Sequence, residues 1–125
     1  MQNLITKEIE DVAKNYPLYS QDGKRGDAVV LARFFTVNGN WTWYLTEYNP
    51  VTHEGFGYVL GFDNEMGYID VDELQKAKNQ VFFNGKMVGE RQAVERDINV
   101  HPGKETLAHL LDVYKQEKPS YWEDK

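Results

Sequence analysis

The hydrophobic pattern changes period several times along the chain. Over residues 4–16, Ile5, Ile9, Val12, Ala13 and Tyr16 recur at helical spacing, with Lys7, Glu8, Glu10, Asp11 and Lys14 between them. This predicts an N-terminal helix. Pro17 ends it, because the residue before a proline avoids helical angles. YSQDGKRGD (19–27) is polar and glycine-containing, and reads as a loop. DAVVLARFFTV (27–37) is apolar at odd and even positions alike, which predicts a strand covered on both faces.

The NGN triplet at 38–40 marks a tight turn into WTWYLTEY (41–48), rich in strand formers. Strict alternation sends Trp41, Trp43, Leu45 and Glu47 to one face and Thr42, Tyr44, Thr46 and Tyr48 to the other. The tryptophans are then expected in the core, with Tyr44 and Tyr48 half-exposed. Glu47 falls on the tryptophan side, where a carboxylate needs an explanation.

A turn over 49–55 leads to a third strand at 56–62 and a short fourth at 66–71. Asp70-Val71-Asp72-Glu73 has the form of a capping box, predicting a helix over 71–78. The Asn84-Gly85 pair inside residues 80–89 predicts a small hairpin, and 93–100 a further strand. Leu107, Leu110, Leu111 and Tyr114 form a core-facing stripe on a last helix over 104–117. The fold class expected is α+β: an antiparallel meander of about four to six strands packed by N-terminal, middle and C-terminal helices. The helices are expected on one face, leaving the other partly open. Residues 1–118 read as one globular domain and 119–125 as a flexible tail.

Composition narrows the chemistry. The 125 residues include no Cys, which removes disulfides, thiolate nucleophiles and Cys-ligated zinc. A net charge of −6 works against general affinity for nucleic acid or anionic lipid. Glu8, Glu10 and Asp11 lie where a signal peptide needs an apolar run, and no stretch approaches a membrane span, so a cytoplasmic protein without membrane contact is expected. Ser20 and Ser120 are the only serines, and neither sits in a nucleophile elbow. His53, His101 and His109 have no metal-binding spacing, and no phosphate-loop or calcium-loop pattern is complete. No metal or cofactor is therefore expected.

Paired carboxylates remain. In VERD, Glu95 and Asp97 share one face of a strand and Arg96 takes the other. Such pairs serve acid–base chemistry, and also occur as ordinary solvated or ion-paired edge residues. The aromatic strand 41–48 could stack nucleobases, but Arg33 is the only cation between Asp27 and Pro50.

The segments LYSQDGKRGDAVVLARFFTVNGNWTWYLTEYNP, FGYVLGFDNEMGYIDVDEL and VERDINV, in that order, resemble a family of small bacterial and phage proteins known only as a domain of unknown function. The resemblance covers residues 19–100 and includes Phe34, Phe35, Trp41, Trp43, Glu47 and the Glu95-Arg96-Asp97 triplet. Two segments depart from it, the charged helix before Pro17 and QVFFNGKMVGERQ (80–92). It implies an accessory role on mobile genetic elements and no known reaction, so no catalytic residue is carried over. The expected function is binding of a protein partner, with a host-defence component such as a restriction or CRISPR nuclease as the concrete candidate. Arg33, Tyr44, Glu47, Tyr48, Glu95, Arg96 and Asp97 form the candidate surface. A nucleic-acid module using Arg33, Tyr44 and Tyr48, or an enzyme using Glu47 or the Glu95/Asp97 pair, are the alternatives.

Overall fold

The computed structural model describes residues 1–123, which form three α-helices and seven strands. Helix α1 (Lys7–Ala13) is shorter than its apolar stripe. Thr6 caps it, accepting a bond from the Ile9 amide, so Leu4 and Ile5 fall outside the helix. Leu4 is nevertheless fully buried.

The strand expected over 27–37 is divided. Arg25–Asp27 form a 3-10 turn, and only β1 (Ala32–Thr36) joins the sheet. Between them the backbone bonds of Ala28 and Val30 go to residues 103–107: Leu107 donates to Ala28, Val30 to Glu105 and Gly103 to Val30. The order continues through β2 (Thr42–Tyr48), β3 (Glu54–Leu60), β4 (Asn64–Asp70) and α2 (Val71–Lys76). Then follow β5 (Lys78–Phe83), β6 (Lys86–Gln92), β7 (Val94–Arg96) and α3 (Leu107–Val113). The capping box holds: the Asp70 side chain accepts from the Glu73 amide. Strand β7 stops early because the Asp97 side chain accepts from the Asn99 amide, an Asx turn.

Five strands form one antiparallel sheet in the order β4-β3-β2-β1-β7, and β5-β6 form a separate two-stranded sheet. The fold is α+β, as the pattern predicts, but both sheet faces are covered. On one, Leu45, Phe34 and Val94 pack with Ile9 and Ala13 of α1 and Val71 of α2. On the other, Tyr44, Tyr58 and Leu60 pack with Leu107, Leu110 and Leu111 of α3. Each such buried side chain contributes about 1.5–3 kcal/mol.

Helix α3 ends at a left-handed Lys115 (φ 55°). The amides of Lys115 and Gln116 return to the carbonyls of Asp112 and Leu111, a Schellman closure without glycine. Of the tail expected over 119–125, Pro119 is buried and Ser120–Glu123 form a 3-10 turn. Trp122 packs against Tyr58, with ring centroids 6.2 Å apart. Residues 124 and 125 lie outside the described residues.

A β-bulge at Thr46 separates the pairs Leu45↔Gly57 and Glu47↔Phe56. Strand alternation therefore restarts after it. Glu47 moves to the α3 face, beside Phe56, and Tyr48 moves to the α1 face, among the core residues there. This corrects the alternation-based placement. Tyr44 and Tyr48, expected half-exposed, are 0% and 2% exposed. Trp41 and Trp43, expected in the core, are only partly buried. They stack at 5.7 Å, and Phe62 meets the edge of Trp41 at 5.1 Å.

Gly57 is a steric requirement of this arrangement, since a Cβ there would sit 1.8 Å from the Tyr44 carbonyl oxygen. Gly57→Ala is expected to lower stability by about 2–4 kcal/mol through forced displacement of β2. Gly67→Ala, whose Cβ would meet nothing within 4 Å, should change it by less than about 0.5 kcal/mol. Urea unfolding midpoints of the two variants test this, and equal midpoints would refute it.

Candidate functional site

The candidate residues do not form one surface. Arg33, Tyr44 and Asp97 join one polar cluster on the α3 face and Glu47 a second, Tyr48 and Arg96 lie on the α1 face, and Glu95 belongs to neither cluster. The first cluster centres on Arg33 in β1, whose side chain is 12% exposed, and Asp97 after β7, at 9%. Arg33 Nη1 donates to Asp97 Oδ2 at 3.1 Å, and Nε to the Tyr44 hydroxyl at 3.1 Å. Its guanidinium carbon lies 3.8 Å from the centre of the Tyr114 ring. The Tyr114 hydroxyl donates to the same Asp97 oxygen. Gln116 closes the cluster, accepting from Tyr44 and from Arg33 Nη2 and donating from Nε2 to Thr42 Oγ1 at 3.1 Å. The Lys115 turn described above places that carboxamide.

This cluster offsets most of the cost of burying an ion pair. A paired charge with its hydrogen bonds filled is tolerated inside, whereas an unpaired one is strongly destabilising. Arg33 also stacks on Tyr114, which suits a planar guanidinium and not an ammonium. The network opens onto a shallow groove of about 460 Å³ lined by Arg33, Phe35, Asn40, Trp41, Asp97 and Gln116.

The second cluster centres on Glu47, which is 2% exposed. Its Oε1 accepts from the Tyr19 amide at 2.7 Å and its Oε2 from the Gln21 amide at 2.8 Å. Gln21 itself ties three backbone groups, with Nε2 donating to the carbonyls of Val29 and Thr46 and Oε1 accepting from the Val29 amide. Tyr19 has φ 75°, a left-handed conformation costly for a non-glycine residue. The carboxylate thus fixes a strained loop onto the bulged strand. Because the bulge rotates Glu47 off the tryptophan face, the carboxylate expected there is explained as a loop anchor.

Glu95 and Asp97 share one strand face, as alternation predicts, and Arg96 takes the other. Only Asp97 enters the buried network. Glu95 is half-buried opposite Phe35. Arg96 reaches the N-terminal segment, where its Nη1 donates to the Asn3 and Leu4 carbonyls. Tyr48 lies between α1 and α2, stacked on His53 at 6.4 Å.

Burial shapes tyrosine ionisation. It raises Tyr44 above the ordinary tyrosine range and pushes Tyr48 and Tyr58 up to about 12. Burial, followed by the bond to the Asp97 carboxylate, takes Tyr114 to about 12 as well. Among the described residues, no group of His, Asp and Glu is arranged to hold a metal ion.

Outside these clusters, large exposed apolar side chains gather on the β5–β6 hairpin: Phe82 (59%), Phe83 (68%), Met87 (52%) and Val88 (62%). Its turn uses Asn84 (φ 52°) and Gly85 (φ 78°), the two left-handed positions of a type I′ hairpin. The sequence signals this turn. The roles of Gln21, Tyr114 and Gln116 carry no local signal, since each acts across the fold.

These features define an α+β domain whose buried carboxylates Glu47 and Asp97 are paired internally, with a hairpin arm that displays apolar side chains. The chain belongs to the family described as protein of unknown function (DUF2958), whose model matches residues 4–117. That range includes the N-terminal helix, outside the narrower resemblance noted above, and the 80–92 segment, which departs from it. Neither a curated protein nor a solved structure matches the chain.

Two outcomes follow from the clusters. Asp97→Ala leaves Arg33 buried without its counter-charge and should cost about 3–5 kcal/mol. The double variant Arg33→Met/Asp97→Leu removes both charges and should cost less, and denaturation of the pair against wild type decides it. The tyrosines set a pH limit. The unfolded chain ionises them near the ordinary value of about 10, while the folded chain holds Tyr48, Tyr58 and Tyr114 neutral to about 12. The folded state therefore binds more protons between these values, so stability is unaffected below pH about 10 and falls as pH rises towards 12. Tyrosinate absorbance that titrated with a midpoint near 10 in the folded protein would contradict this.

Proposed function

We propose that this protein is a non-enzymatic accessory protein that acts by binding another protein, and that the β5–β6 hairpin is its contact arm. One observation carries the reading: Phe82, Phe83, Met87 and Val88 stand exposed on a two-stranded sheet separate from the main sheet. A lone hairpin is marginal in water, and grouped exposed aromatics are characteristic of binding anchors. The arm also carries Lys78, Lys86 and Arg91 against Glu90, a local excess of two positive charges in a chain of −6. An acidic-rimmed apolar groove on the partner complements it.

The candidate carboxylates support a structural role over a catalytic one. Asp97 is neutralised by Arg33 and Glu47 is held by two amides. Stacking of nucleobases on Tyr44 and Tyr48 finds no support, because both rings are buried. The resemblance to small plasmid and prophage proteins makes a host-defence component, such as a restriction or CRISPR nuclease, the first partner to test.

The test is affinity capture from the native host with the wild-type chain and with Phe82→Ser/Phe83→Ser. Both altered side chains are exposed, so the variant should melt like wild type. A specific host protein is expected with wild type, held at least about tenfold more weakly by the variant, as for loss of binding anchors. Equal capture by both chains removes the hairpin from the interface. Failure to recover any defence or replication protein overturns the accessory role.

A further inference from the structure

The groove beside the Arg33 network has two aromatic walls, and one of them is fixed in place. Trp41 is only partly buried, yet three neighbours hold its indole. Trp43 stacks on it, Phe62 meets its edge, and Gly61 lies against its ring, where a Cβ would stand 2.4 Å from the nearest ring carbon. The second wall is Phe35, two residues along β1 from Arg33 and on the same face. Its ring centre lies 5.8 Å from the Arg33 guanidinium carbon. A groove of about 460 Å³ with pre-set aromatic walls has the dimensions of a small-ligand site.

The polar wall is not fully used. A guanidinium carries five N–H groups. Tyr44, Asp97 and Gln116 take one each, from Nε, Nη1 and Nη2 of Arg33. One N–H on each terminal nitrogen therefore meets no acceptor among the described residues. Arg33 and Asp97 both line the groove. Their charges balance each other, so the unused donors sit in a neutral setting.

Together these walls narrow the ligand. Two donors on one plane call for two adjacent acceptors. The Asp97 carboxylate, 3.1 Å from Nη1, repels a carboxylate or phosphate placed there, so the acceptors must belong to a neutral group. Aromatic walls favour a flat one. Guanine is flat and neutral and presents O6 and N7 side by side, whereas adenine presents a donor beside N7. The net charge of −6 opposes a chain of phosphates. We infer that this groove binds the guanine base of a free nucleoside, with Arg33 reading the O6/N7 edge and the base packed against Trp41. The site shares no residue with the β5–β6 hairpin, so it stands whether or not the hairpin binds a protein.

Calorimetric titration of the purified full chain with guanosine and with adenosine tests the inference. Guanosine is expected to bind and to quench tryptophan emission, with adenosine at least about tenfold weaker, the effect of losing one bidentate base contact. Arg33→Lys keeps a charge opposite Asp97 but loses the fork, and should weaken guanosine at least about tenfold. Asn40→Trp fills the groove from an exposed position, so it should melt like wild type and lose guanosine binding. No binding at about 1 mM guanosine, equal affinity for the two nucleosides, or unchanged binding by Arg33→Lys or Asn40→Trp overturns it. A guanine-rich single strand held more tightly than guanosine overturns the free nucleoside as the occupant.

Discussion

The β-bulge at Thr46 is the constraint on which the molecule depends. Without it, alternation along β2 would drive Glu47 into the apolar face beside Leu45 and set Tyr48 among the α3 contacts. With it, the carboxylate reaches the amides of Tyr19 and Gln21, and the tyrosine ring enters the layer beneath α1. The Thr46 residue itself is held on both sides, its hydroxyl donating to the Phe56 carbonyl and its carbonyl accepting from Gln21. One inserted residue thus ties loop 19–27 to the sheet and completes two different cores.

The Arg33 network plays the corresponding role at the other end of the sheet. It joins β1, β2, the turn after β7 and the residues that close α3. Apolar contacts alone would let α3 slide or rotate on its bed of tyrosines and leucines, because such contacts are not directional. Hydrogen bonds and the ring contact with Tyr114 are directional and fix its end. The ion pair is therefore better understood as setting a unique arrangement than as a large source of stability. Its desolvation cost consumes much of its attraction.

Local chemistry was legible in the sequence and distant chemistry was not. The Asn84-Gly85 turn, the Asp70 cap, the leucine stripe of α3 and the α+β order follow from rules that act over a few residues. The helices came out shorter than their stripes, because Thr6 and Thr106 set the starts while Lys115 set the last stop. The bulge carried no signal in WTWYLTEY, so Glu47 and Tyr48 exchanged their expected faces, while Tyr44 kept its face and is buried because α3 covers it. Glu47 and Asp97 were recognisable as unusual carboxylates, but their partners were not. An amide at Tyr19 and a guanidinium at Arg33 are chosen by folding, and no spacing in the chain announces them. The exposed hairpin was visible as a turn between apolar runs. That its apolar side chains stay in solvent depended on the hairpin forming a separate sheet.

This division bears on how a surface is read from a sequence. Aromatic residues concentrated in one strand suggested a gripping face, yet Tyr44 and Tyr48 are buried because helices cover both sides of the main sheet, and Trp41 and Trp43 are partly so. Its buried polar side chains hold loop and helix ends, while Glu54, Glu65 and Asp70 of β3 and β4 face outward. Exposed apolar groups gather on the hairpin. A hairpin that binds a partner would do so through shape and burial, with charge acting over longer range. The body is acidic and the arm is basic, so on the proposed reading the field of the molecule would direct an acidic partner to the hairpin. On that reading contact comes from exposed rings and approach from charge, so the two can be altered separately.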